Sequence, residues 1–287
     1  MKNHFCIFVF LLSGMAFPLK AQDFDIVEQF NNTIAIVQGG IDDLMDTKLM
    51  KGTRMKVGFA IGTTPDYQGS NNYSFRFLPM INIQYKDKWA MENGHFHYNL
   101  WRQGHWTAGP LASLNFGREE RQNKVLAGIG NVGDTLDLGL FLKYSRRETG
   151  SVAEVKVRHG LSNGQGMRAE LTVGQAFYKK GNLLLIGGLR AKYMAKKTMQ
   201  TNFGISPEQA STSIYGLEAF EAKGGLSQIM SAIIAVREFP KKRFRIMGVL
   251  SYGHMLSSAA NSPLVSGGKS VGDSSQFVFG TAITYNF

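Results

Sequence analysis

The chain is predicted to be all-β, a closed antiparallel transmembrane barrel of about 12 strands, with 10 as the alternative. Three observations predict it. Apolar and polar residues alternate with a period of two through runs of about ten residues. Short and long connections divide those runs. The last run ends on an aromatic residue: in Ser275 to Phe287, residues Phe277, Phe279, Thr281, Ile283, Tyr285 and Phe287 share one side of an extended strand.

From the N-terminus, Met1 to His4 carries a lysine, Phe5 to Leu19 is nearly unbroken apolar sequence, and Leu19-Lys20-Ala21 offers a small residue before a cut near Ala21/Gln22. Residues 1–21 therefore read as a secretory signal peptide, and 22–287 as one outer-membrane barrel domain. Cys6 lies inside the apolar run, so the exported chain is expected to hold no disulfide. Lys and Arg number 32 against 21 Asp and Glu, a balance of +11, and losing Lys2 and Lys20 leaves +9. The bases are scattered along the sequence with no aromatic-interleaved cluster, so a nucleic-acid partner is excluded. An envelope surface bearing phosphate or carboxylate is the expected anionic neighbour.

Of residues 22–53, Asn32 to Val37 (NTIAIV) reads as a strand. Arg54 to Ile61 follows, then Phe75, Phe77, Pro79, Ile81, Ile83 and Tyr85 alternating with Ser74, Arg76, Leu78, Met80, Asn82 and Gln84. Leu136, Leu138, Leu140, Leu142 and Tyr144 repeat the pattern, as do Val155 and Val157, then Ala169, Leu171 and Val173, then Leu183 to Tyr193 and Phe244 to Tyr252. A soluble sandwich alternates in the same way. The export signal, the missing cysteines, the aromatics near strand ends (Trp89, Tyr98, Trp101, Trp106, Tyr144, Tyr193, Tyr252) and the terminal Tyr285-Asn286-Phe287 favour the barrel, which satisfies every backbone group in lipid.

Connections 63–72, 101–105, 146–150, 178–181 and 238–242 are short, while 118–133, 195–222 and 256–275 are long. Short turns belong in the periplasm and long loops outside. Counted back from a periplasmic C-terminus, 63–72 is assigned to the periplasm, so the strand at Arg54 would start outside. Asn32 to Val37 then supplies the strand before it.

The polar faces give candidate lumen-lining residues: Arg76, Lys143, Lys156, Arg158, Arg168, Arg190, Lys192 and Arg245, facing only Asp137, Glu154 and Glu170. Either loop acids such as Glu119 and Glu120, or water, neutralise the surplus, or the interior attracts anions. His95 and His97 also line the lumen. At i and i+2 they could hold a metal together, but no third ligand is assignable. A hydrolase would need serine, base and acid on one face. His254 precedes Ser257, Ser258, Ser262 and Ser266, and no such triad is evident. GIGNVGD at 128 lacks the strand-to-helix setting of a phosphate loop. No enzyme activity, cofactor or metal is expected.

The loops carry a family pattern. TTPDYQGSNNYSFRFLP at 63, GPLASLNFGR at 109, FGISPEQASTS at 203, Gly224-Gly225 before a long strand, and NSPLVSGGKSVGDSSQ at 261 before the terminal Tyr-Asn-Phe together resemble the MltA-interacting protein (MipA)/OmpV family, from about Val57 to Phe287. Where that family usually has acids just before Ser-Pro, this chain has Ser258 and Asn261. The resemblance implies an outer-membrane barrel of a Gram-negative cell, in contact with outer-membrane lipid and lipopolysaccharide. For the founding member it implies a scaffold joining a lytic murein transglycosylase to a peptidoglycan synthase, so periplasmic murein-processing enzymes are expected partners. A narrow, anion-preferring pore or small-molecule binding barrel is the alternative. Resemblance to other outer-membrane barrels also makes Tyr285 and Phe287 the assembly signal.

Overall fold

A computed structural model describes residues 52–287 except 93, 269 and 270. The expected strand at Asn32 to Val37 lies outside the described residues. Thirteen strands form one antiparallel sheet: β1 Thr53–Pro65, β2 Tyr73–Tyr85, β3 Trp89–Glu92, β4 His95–Tyr98, β5 Trp101–Gln103, β6 Trp106–Asn115, β7 Thr135–Arg146, β8 Ser151–Gly160, β9 Met167–Lys180, β10 Leu183–Met194, β11 Gly225–Phe239, β12 Phe244–Met255 and β13 Ser275–Asn286. Twelve of them close into a ring, because β1 pairs with both β2 and β13, and β4 pairs with β6. The extra strand, β5, is a three-residue flap on the end of β6. Among the described residues no helix is long and apolar enough to cross a membrane. The barrel crosses with strands.

The outer face is the row of large apolar side chains that the period of two gives. Phe75 is 69% exposed, Leu140 66%, Ile233 54% and Phe279 62%. Aromatics edge this belt. At the end holding the C-terminus, Tyr85 stacks on Trp89 (5.8 Å), Trp106 meets Tyr144 (5.0 Å), and Tyr285 meets Phe244 (5.3 Å) and Phe287 (5.0 Å). At the other end Tyr252 meets Phe277 at 5.0 Å. Such rings sit well at a membrane interface, one side apolar and the other wet. The chain's last amide does not fray. Phe287 N donates to Met55 O at 2.9 Å, and Asn286 N to Arg243 O at 2.8 Å.

Two expectations need correction. Loop 63–72 does not belong with the short turns. Lys56 pairs with Asn286 and Thr63 with Phe279, so β1 starts beside the C-terminus and ends at the opposite mouth. There, Ser70 bridges Gly272. The short turns 86–88, 99–105, 147–150, 181–182 and 240–243 lie at the C-terminal end; loops 66–72, 116–134, 161–166, 195–224 and 256–274 lie at the other. Residues 89–98 form two short strands, which shifts the parity of everything before them by one. Trp89 pairs with Tyr98 and Glu92 with His95 across a turn at Gly94, whose φ is +87°. Asn-Gly is a strong hairpin signal, but strands of four residues are too short to show their period. The ring thus reaches 12 strands without a strand before β1.

Candidate functional site: a dry charged lumen, a loop cap and a basic rim

The strands aim alternate side chains inward, and there the lumen divides. Strands β10, β11, β12, β13, β1 and β2 contribute a continuous apolar cluster that includes Ile186, Ile234, Val236, Met247, Ala60 and Met80, all 6% exposed or less. The facing half, β4 and β6–β10, carries most of the charges, with Lys56 on β1, Arg76 on β2 and Arg245 on β12 outside it. Of the residues read from sequence as lumen-lining, Arg158, Arg168, Arg190, Lys192 and Arg245 are buried, at 2–6% exposure, and Arg76, His95, His97, Lys143 and Lys156 are half-buried on inward-facing positions. Water-filled pores leave such side chains wet. The five buried ones are nearly dry.

Burying a guanidinium or carboxylate without a partner is costly, and the acids are placed accordingly. Arg158 pairs with Glu170 and also donates to Ser113 Oγ (3.2 Å); Arg168 pairs with Asp137 (3.3 Å), Lys156 with Glu154 (2.8 Å) and Arg76 with Asp66 (3.6 Å). Arg245 Nε donates to Glu238 at 2.9 Å, and Arg190 Nε to Thr172 Oγ1 at 3.2 Å. His97 lies edge-on to Phe141, 5.4 Å between ring centres. Asp66 and Glu238, each near where a strand meets its turn, add two acids to the three on the strands' polar faces. The loop acids expected to serve, Glu119 and Glu120, stay within their own loop: Glu119 holds Arg121, and Glu120 accepts from Gly130 N. His254 points outward, its Nδ1 3.3 Å from Ser275 Oγ.

Over the loop-side mouth lies a second apolar cluster, which sequence periodicity did not reveal. Helices α1 Lys196–Phe203 and α2 Pro207–Thr212, and the short turns α3 Ser257–Asn261 and α4 Pro263–Ser266, fold with loops 66–72 and 116–134 into a cap. Its centre is Tyr67, Leu126, Ile129, Met199, Phe203, Leu264 and Val265, each 2% exposed or less. The glycine-rich stretch at 128 is part of it: a Cβ at Gly128 would lie 1.9 Å from Thr212 O. Ser262 Oγ donates to Phe203 O (2.6 Å), joining the last loop to α1. Ser258 Oγ accepts from Lys223 N at 2.9 Å.

The opposite mouth differs in charge. Its turns and their flanking residues hold Lys86 and Lys88, Arg102, Arg146 and Arg147, Lys179 and Lys180, and Arg237 with Lys241, Lys242 and Arg243, all exposed. Against these eleven stand Asp87 and Glu148, the inward Glu238 apart. Asp87 takes Arg102 at 3.5 Å and Glu148 takes Arg146 at 3.6 Å. The loops at the capped mouth mix signs, with eight acids and six cations among the described residues. Bases scattered in sequence are thus gathered by the fold at one end.

A family model for the MltA-interacting protein MipA matches residues 57–287. The chain belongs to the MipA family. No curated protein matches it. Among solved structures, similarity is seen to the translocator domain of the autotransporter NalP from Neisseria meningitidis (9% identity, 94% of this chain and 100% of that one, TM-score 0.42). The NanC porin (7%, 80% and 98%, 0.40) and the KdgM porin (8%, 81% and 99%, 0.39) are similar to a like degree. This MipA-family barrel is an outer-membrane protein. Barrels of that kind keep short turns in the periplasm and long loops outside, a rule that assigns the basic rim to the periplasm and the cap to the outside.

Proposed function

We propose that the protein is a sealed, non-enzymatic outer-membrane scaffold that presents its basic periplasmic rim to a murein-processing enzyme. The observation that carries this reading is the gathering of eleven cations around the periplasmic mouth. A rim of one sign attracts an acidic partner surface and speeds its approach, while the wall holds that rim at a fixed height above the murein. The family name, MltA-interacting protein, agrees with a partner of the lytic transglycosylase class. Against conduction stand the dry arginines and the apolar half of the lumen. The test pairs two measurements on the purified protein. In a planar bilayer it stays silent, and as bait for a periplasmic extract at low salt it retains a murein-processing enzyme. Steady single-channel conductance from the wild-type barrel would replace this reading with the narrow pore.

A further inference from the structure

One cation of the rim stands among the lipid-facing side chains. Arg237 is exposed on the outer face of β11, and the register sets it between Leu183 of β10 and Ile246 of β12, with Ile283 of β13 beyond. The next outward row toward the rim is Phe239, Phe244 and Tyr285. Arg237 therefore lies on the membrane side of the aromatic edge, in a row of aliphatic side chains. A cation on the lipid face of a barrel wall is costly, and a long stem lets its head bend toward the interface. Arg237 bends that way, its guanidinium carbon 5.5 Å from the centre of the Phe239 ring.

A second cation shares the row. Leu183 pairs with Arg237 on one side and with Lys180 of β9 on the other, so the two bases are two strand spacings apart, about 10 Å between Cα atoms. Their charged ends can meet over Leu183. Glu238 N donates to Asn182 O at 3.0 Å, which holds the β9–β10 turn against β11 and fixes this spacing. Toward the bilayer the adjacent outward pair is Tyr178, 43% exposed, with Leu185. The acids at this end are engaged elsewhere: Asp87 with Arg102, Glu148 with Arg146, and Glu238 inward with Arg245. Among the described residues neither Lys180 nor Arg237 enters an ion pair.

We propose that Lys180 and Arg237 clamp the head group of an anionic phospholipid from the inner leaflet of the outer membrane, its phosphate over Leu183 and its chains along Tyr178, Leu185 and Ile233. A phosphate gives both bases charge-assisted hydrogen bonds, and a guanidinium meets it as a two-pronged fork. The chains need not leave the bilayer, since Ile233 is 54% exposed on the same face. A zwitterionic head would bring its own ammonium to a place with two cations and no acid. The choice of leaflet follows from the periplasmic placement of this rim. The site itself needs no protein partner and is independent of the scaffold reading.

Equilibrium binding to the folded full-length barrel in neutral-detergent micelles tests it, with dioctanoyl phosphatidylglycerol, dioctanoyl phosphatidylcholine and glycerol phosphate as probes. The phosphatidylglycerol is expected to bind at least tenfold tighter than either of the others. Arg237→Gln and Lys180→Gln should each weaken it several-fold with the heat-modifiable folded band intact, whereas Lys86→Gln, on the β2–β3 turn, should not. Should Arg237→Gln fail to fold, Lys180→Gln, at an exposed strand end, decides alone. Equal binding of glycerol phosphate would mean a site for soluble anions and overturn the lipid. Equal binding of the phosphatidylcholine would overturn the charge clamp. Affinity unchanged by Lys180→Gln, or lowered as much by Lys86→Gln, would reduce the effect to the general charge of the rim and overturn the site.

Discussion

The hydroxyl of Tyr67, in the loop after β1, lies 2.9 Å from the carbonyl of Val271, 204 residues later in the chain, and 3.0 Å from that of Leu264. The side chain is 1% exposed. This one phenol latches the first external loop to the last, and burial pushes its pKa well above the ordinary value. Tyr67→Phe leaves two buried carbonyls without their donor, a cost of about 1–3 kcal/mol. Limited proteolysis of intact cells should then cut loop 256–274 several-fold faster, with the barrel still folded. A raised pKa means the folded state holds the proton more tightly, so the latch is complete below about pH 10 and is lost as pH climbs through the higher folded value. Protection of that loop should follow the same course in wild type and not in Tyr67→Phe.

A Cβ at Gly69 would come within 2.3 Å of Val265 Cγ2, which fixes loops 66–72 and 256–274 at one mouth. Epitope tags after Gln68 and after Ser266 should therefore both be reachable from outside intact cells, and one after Gly181 only after the outer membrane is opened. A tag after Gln68 that stays hidden while Ser266 is labelled would contradict the ring register.

The long strands were legible because each holds five or more alternations. The inward set of β13, Gln276, Val278, Gly280, Ala282 and Thr284, is buried as the period requires. The β3–β4 hairpin was not, since four-residue strands show no period and its turn was the only cue. Missing that one hairpin inverted the side assigned to loop 63–72. The cap was illegible for a different reason: Leu126, Phe203 and Leu264 come from separate loops, and only the closed ring makes them neighbours. For the charges, residue types and faces were readable, but the pairing of Arg245 with Glu238 depends on which residues of β11 and β12 stand opposite.

Arg158 and Glu170 are a buried ion pair on neighbouring strands, 3% and 8% exposed as side chains. Removing one partner leaves an uncompensated charge, and Glu170→Gln should cost about 3–5 kcal/mol. Urea unfolding in micelles should show a lowered midpoint. Arg121→Gln, which breaks an exposed pair with Glu119, should shift it little.

Phe287 is 67% exposed, yet its amide is fixed to Met55 and its ring packs edge-on to Tyr285 at 5.0 Å. Deleting Phe287 removes the last bond between β13 and β1 as well as the terminal aromatic. The amount of heat-modifiable barrel in the outer membrane should fall several-fold, while Tyr252→Leu, at the opposite girdle, should leave it near wild type.

The central claim, that the barrel works through its periplasmic rim, is tested most directly by reversing that rim's charge. In Lys88→Glu, Lys180→Glu, Lys241→Glu and Lys242→Glu combined, all four positions are exposed and lie outside the lumen, so folding should persist. Retention of the periplasmic partner on the immobilised barrel is then compared with wild type between low salt and about 0.15 M, where charges are screened beyond ~8 Å. Retention is expected to drop at least tenfold at low salt and to lose its salt dependence. A folded variant that retains the partner as well as wild type at every salt concentration would contradict the account.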